Sequence, residues 1–192
     1  MLARAREFLA RKGCDEARLE AELLVAEALG LDRMGLFLAL ERPLAPAEID
    51  RGRELLVRRV QGEPTAYLLG RREFYGRPFR VGPGVLVPRP ETELVVDVAR
   101  ELAGQRPGLR VADFGTGSGC IAVTLALELT EPEVHAFELS GEALSYARQN
   151  AEALGADVAF VEGDGLAPLL AAAPFDLVVS NPPNVDPSNA AT

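Results

Sequence analysis

Apolar residues over the first 65 positions recur at helical spacing. Leu2, Ala5, Phe8 and Leu9 share one face, and Gly13 is placed to end that helix. Asp15 is placed to cap a second helix carrying Leu19, Leu23, Leu24 and Leu31, with Gly30 near its end. Asp32 is placed to cap a short third helix through Met34, Leu36, Phe37 and Leu40. Pro46 suits the first turn of a fourth, which runs to Val60 and is closed by Gly62 and Pro64. Its arginines, Arg51, Arg53, Arg58 and Arg59, lie on more than one face and read as a solvated surface. The pattern predicts a small all-helical domain over residues 1–72.

The period then changes. Residues 74–80 and 85–87, with glycines between, predict a β-hairpin linker over 73–90. Residues 92–102 return to helical spacing through Leu94, Val95, Val98 and Leu102. Four strand–helix alternations follow, with strands at 109–114, 134–138, 158–161 and 175–180 and helices at 120–129, 141–154 and 168–172. Such alternation predicts an α/β domain with a parallel sheet over 91–192.

Charge sharpens this division. The chain of 192 residues has a formal net charge of −9. Residues 1–80 hold 15 basic and 13 acidic side chains, whereas residues 81–192 hold 5 and 16. A module that acidic is a poor general binder of polyanions, so no direct nucleic-acid partner is expected. Cys14 and Cys120 match neither a disulfide framework nor a metal knuckle. No apolar run reaches membrane-helix length and no signal-peptide pattern opens the chain, so a cytoplasmic protein without membrane contact is expected.

Candidate chemistry begins at Asp113-Phe-Gly-Thr-Gly-Ser-Gly119, between a strand and a helix. Gly115, Gly117 and Gly119 allow a tight turn and close backbone approach to a ligand. The spacing differs from the dinucleotide fingerprint, and no Gly-Lys-Ser/Thr follows for a triphosphate. Asp113 would repel a pyrophosphate but suits a cationic ligand. Glu138 ends the next strand, where an acid can accept ribose hydroxyls. Asp164, followed by Gly165, ends the third, where an adenine could be bordered. A positively charged nucleoside without phosphate fits best, and S-adenosyl-L-methionine is such a ligand.

Ser180-Asn-Pro-Pro-Asn184 closes the fourth strand. Two prolines fix φ. Asn181 then presents a side-chain carbonyl close to a rigid backbone carbonyl, and paired acceptors can hold a planar –NH2 by both hydrogens. Charge developing on that nitrogen would strengthen both bonds.

Together, residues 113–119 and Asn181-Pro182-Pro183 resemble the class I methyltransferases of planar nitrogens. Gly62-Glu-Pro-Thr-Ala-Tyr-Leu-Leu-Gly70, Glu73-Phe-Tyr-Gly76 and Val87-Pro-Arg-Pro-Glu-Thr-Glu93 narrow the match. With the helical domain, they look like the HemK/PrmC family of release factor glutamine N5-methyltransferases. That resemblance implies a Rossmann-like fold and methylation of the glutamine in the Gly-Gly-Gln motif of bacterial class I peptide chain release factors. It implies that Asp113, Gly115, Thr116, Gly117, Ser118, Gly119, Glu138, Asp164, Gly165 and Asn181 line the cofactor, and that Asn181, Pro182, Pro183 and Asn184 meet the substrate amide. Asn181–Pro183 would be catalytic, no metal is implied, and a monomer is expected. The family usually has an aromatic where this chain has Asn184, and Asp where it has Glu138. Its fold usually continues beyond the fourth strand, so a C-terminally truncated domain is expected.

Two other readings use the same residues. Asn-Pro-Pro also serves methylation of adenine N6 in nucleic acid, and the helical domain could bind its partner without catalysis. His135 reads as a packed strand residue, Cys120 as a packing residue, and Ser118 lacks a triad partner.

Overall fold

The structure is a computed structural model that describes residues 1–164 and 166–182. It divides into two units, Met1–Gly70 and Arg71–Thr192.

The first unit packs α1 (Leu2–Arg11), α3 (Arg33–Leu38), α4 (Pro46–Val60) and α5 (Thr65–Leu69) around α2 (Ala17–Ala28). Leu9, Leu24, Val25, Leu36, Leu55 and Leu56 form its core. Asp32 caps α3 by accepting the Gly35 N–H at 2.6 Å. Asp15 does not cap α2. The Cys14 N–H turns back to the Leu9 carbonyl, so the helix starts later, with Glu16 at its N-cap and no side-chain cap. Helix α5 lies in the stretch that the sequence reads as a closing turn, and Gly70 at φ 67° ends it. The arginines of α4 are engaged with acids. Arg59 forks onto Glu20 with two bonds of 2.9 Å, Arg58 pairs with Glu63, Arg51 with Glu27 and Arg53 with Asp50.

Glu22 on α2 is wholly buried inside this unit. Its carboxylate accepts from Arg6 of α1, from Arg18 one turn away at 3.2 Å and from Arg33 of α3 at 2.8 Å. Burial pushes its pKa up, but the hydrogen bonds from Arg33 and Arg18 and the nearby charges outweigh that and hold it below the usual value. Three helices are thereby tied to one carboxylate.

The second unit opens with an antiparallel hairpin, β1 (Arg71–Phe74) and β2 (Arg77–Arg80). The hairpin sits earlier than the sequence predicts, and residues 85–87 form no strand. Tyr75 and Gly76 both have positive φ (52° and 70°), which makes a two-residue turn whose twist matches paired strands. Gly82-Pro-Gly84 offers no such turn. Phe74 and Phe79 bury their rings edge-to-face at 5.9 Å.

A 3-10 turn (Pro90–Thr92) leads into α6 (Glu93–Ala103). Four parallel strands follow: β3 (Arg110–Phe114), β4 (Glu133–Glu138), β5 (Ala159–Glu162) and β6 (Leu177–Ser180). Their order is β5-β4-β3-β6, and α7 (Cys120–Glu128), α8 (Gly141–Leu154) and α9 (Ala167–Ala172) connect them. The architecture is the expected Rossmann-like α/β class. Alternate strand residues feed two cores: Val111, Val134 and Ala136 on one face, Ala112 and Phe137 with Leu169 of α9 on the other. Among the described residues β6 pairs only with β3, and Val178 is half exposed.

Glu22→Ala should destabilise the helical unit by about 2 kcal/mol in urea denaturation, the moderate size reflecting arginines that can return to water. The Glu22 pKa is depressed in the folded state, so its stabilisation is full above the ordinary value of 4.5 and is lost as pH falls through the lower folded value. An acid limb to the wild-type pH–stability profile, shallower in the alanine variant, is the expected result because Glu48 and Glu63 are also held below their usual values.

Candidate active site

Every described residue of the expected site lies at the carboxyl end of a strand. The loop after β3 turns at Gly115, Gly117 and Gly119, with φ of 75°, 56° and 80°. A Cβ on Gly119 would stand 3.0 Å from Ala147 of α8, so this glycine is required by packing as well as by φ. A Cβ on Gly115 or Gly117 would meet no protein atom within 4 Å, which leaves an open face along the loop.

The loop spends its donors on protein acceptors. The Gly115 and Thr116 N–H groups donate to the Phe137 carbonyl, and that of Gly119 to Thr116. The Gly117 N–H donates to Glu138 Oε2 at 2.8 Å. These four groups are therefore not free to cradle a phosphate. Ser118 is buried, and its carbonyl accepts at 2.8 Å from Asn150 of α8.

Glu138, at the end of β4, curls back to the backbone. Oε1 accepts the N–H groups of Leu139 and Ser140, so Oε2 is the oxygen with acceptor capacity to spare. At the end of β5, Asp164 is exposed, and the neighbouring Gly163 N–H donates to the Glu138 carbonyl. At the end of β6, the Ser180 hydroxyl donates to the Phe114 carbonyl at 2.8 Å, and Asn181 Nδ2 donates to Thr92 Oγ1 at 2.9 Å. Asn181 and Pro182 are exposed. Gly165, Pro183 and Asn184 lie outside the described residues.

Strand order gives these ends a common purpose. From β3 the chain proceeds outward through β4 and β5, then returns to pair β6 against the opposite side of β3. Connections diverge at β3, and a crevice opens outside the carboxyl ends of such a switch point.

A family model for the PrmC N-terminal domain matches residues 1–70, and one for the methyltransferase small domain matches residues 92–192. The chain belongs to the methyltransferase small-domain family and carries a PrmC N-terminal domain. A curated relative named release factor glutamine methyltransferase, from Chlorobaculum tepidum, is 46% identical over 196 residues, covering 96% of this chain and 66% of the relative. One of the same name from Geobacter sulfurreducens is 46% identical over 180 residues, covering 94% and 62%. The chain thus spans slightly less than two thirds of the length of these relatives. Among solved structures, a T. thermophilus 16S rRNA N2 methyltransferase in complex with AdoMet and guanosine has a TM-score of 0.51 and 26% identity. That match covers 59% of this chain and 32% of the other.

Within the methyltransferase domain the electrostatic centre is Asp113. It is fully buried, and burial raises its carboxyl to about 6 against the opposing bonds from the Thr116 hydroxyl at 2.6 Å and the Ala122 N–H. The Glu138 charge adds to the rise. Both bonds fall on Oδ2, and Oδ1 has no protein partner. Cys120 is buried and its thiol is pushed up to about 12, chiefly by burial, so it packs rather than attacks. His135 bonds to Glu133 and stacks against Phe137, a packing role.

Two supporting residues escaped sequence reasoning. Asn150 is 1% exposed; its amide bonds the Ser118 carbonyl and both the N–H and the carbonyl of Arg80. An Asn in a helix interior is disfavoured, and that was the available signal. Thr92 is the other, visible only as one letter of a motif.

Because the Asp113 pKa is raised in the folded state, the domain loses stability as pH rises from about 4 to about 6. Asp113→Asn should remove that decline and flatten the pH–stability profile of the unliganded domain between about pH 4 and 6. Urea denaturation across pH checks it, and parallel profiles for the two proteins would refute it.

Proposed function

We propose that this chain uses S-adenosyl-L-methionine to methylate N5 of the glutamine in the Gly-Gly-Gln motif of bacterial class I peptide chain release factors. The observation that carries the reading is the meeting of the glycine loop, Glu138 and Asn181-Pro182 at one switch point. The names of the relatives support the substrate.

The residues present fit such a cofactor. The open face of Gly115 and Gly117 admits a ligand against the backbone, with Thr116, Ser118 and Gly119 holding the loop. Glu138 Oε2 accepts a ribose hydroxyl, and Asp164 with Gly165 borders the base. The unpartnered Oδ1 of Asp113 supplies negative charge beneath a cationic ligand. When bound, the cofactor supplies an electrophilic methyl on a sulfonium.

Asn181 Oδ1 and the Pro182 carbonyl hold the substrate –NH2 by its two hydrogens, and the family resemblance extends the substrate role to Pro183 and Asn184. The grip turns the nitrogen lone pair toward the methyl. So held, the nitrogen would accept the methyl group that the sulfonium supplies, the sulfur leaving as a neutral thioether and a proton passing from nitrogen to water. Positioning supplies most of the rate, worth up to roughly 7–11 kcal/mol in favourable cases. The helical unit recognises the release factor, and the protein acts as a monomer in the cytoplasm. Among the described residues no helix is long and apolar enough to cross a membrane.

Incubation with methyl-labelled cofactor and an unmethylated release factor should place one label on the Gly-Gly-Gln glutamine. Asn181→Ala should lower kcat at least about a hundredfold, in the range seen on removing one group that stabilises developing charge. The cofactor alone should raise the melting temperature, and Gly117→Val should abolish that rise. No label and no thermal shift with the wild-type chain would overturn the reading.

A further inference from the structure

The segment Val87-Pro-Arg-Pro-Glu-Thr-Glu93 contributes one buried polar side chain to the site, Thr92, which is 6% exposed. Its hydroxyl oxygen accepts Nδ2–H of Asn181 across 89 positions of sequence. We propose that Thr92 is a positioning residue that pins the Asn181 side-chain amide through the Nδ2–H to Oγ1 bond, so that Oδ1 is held out for the substrate –NH2. This rests on the reading of Asn181 given above.

The end of β6 is fixed to β3 by the ladder and by the Ser180 hydroxyl on the Phe114 carbonyl. Pro182 restricts the Asn181 backbone to extended conformations. The terminal torsion of an Asn side chain is broad and roughly two-fold. Without a partner, the carbonyl and the –NH2 of its amide would therefore exchange places freely.

Thr92 removes that freedom because it is itself held. Its own N–H donates to the Arg89 carbonyl at 3.0 Å, and it closes the 3-10 turn directly before α6, which packs along β6. The next residue, Glu93, accepts the Tyr75 N–H at 2.8 Å, so the helix start is tied to the hairpin turn. With Nδ2 engaged on Thr92, Oδ1 is the atom left for a ligand. An acceptor there attracts –NH2 and repels a carboxylate.

Thr92→Val keeps the shape and removes the acceptor; Thr92→Ser keeps the oxygen. With release factor as substrate, the valine variant should lose about tenfold in kcat, the worth of one modest hydrogen bond. Cofactor affinity by calorimetry should stay within about twofold, and serine should restore kcat to within about threefold. Wild-type kcat in a folded valine variant would overturn the proposal. Should the wild-type chain transfer no methyl group, the functional reading fails and a second readout decides the positioning role. In the 15N-labelled chain, the Asn181 side-chain amide is identified by its loss in Asn181→Ala. The proton donated to Thr92 should be protected from solvent exchange in wild type and serine and exchange freely in valine. Equal protection in all three overturns the proposal. Thr92→Ala, which cannot overpack, repeats both readouts should the valine variant unfold.

Discussion

The pairing of β6 against the free side of β3 is the constraint on which the site depends. Each sheet neighbour of β3 contributes a different group: β4 brings Glu138 and β6 brings Asn181. The crossover that delivers β6 is held at both ends. At the start, Arg110 and Asp176 exchange bonds, and the Arg110 guanidinium reaches the Pro174 and Ala172 carbonyls. At the finish, the Ser180 hydroxyl holds Phe114. A slip of one residue would turn every β6 side chain to the opposite face and carry Asn181 away from Thr92.

Local chemistry then follows from what the loop cannot offer. The N–H groups of Gly115, Thr116, Gly117 and Gly119 are consumed, and Asp113 Oδ1 has no protein partner. A neutral or anionic ligand would worsen that imbalance, whereas a cation eases it. The buried Asp113 carboxylate, which weakens the unliganded domain as pH rises, would favour a cationic ligand under the proposed function, an arrangement usual where stability is given up for binding.

Much of this was legible in the sequence. Period and glycine placement located the helices and the four parallel strands, because amphipathic faces and turn conformations are local properties. The glycine loop, Glu138 and Asn181 were legible for the same reason: each combines an unusual local composition with a strand end. The hairpin register was misread, because Tyr75 at positive φ is a conformation that a non-glycine adopts only under tertiary support. Helix α5 was too short for its period to show. Glu22, Asn150 and Thr92 were opaque for a deeper reason: each looks ordinary within its element, and its partners lie on other elements.

Asn150 carries a consequence of its own. One side-chain amide grips the backbone of the hairpin at Arg80 and of the glycine loop at Ser118. Segments 38 residues apart therefore share a single mechanical anchor on a third. A change that lengthens the hairpin or shifts its end must be absorbed at the loop. Mechanically the two motifs form one unit, and neither can shift alone.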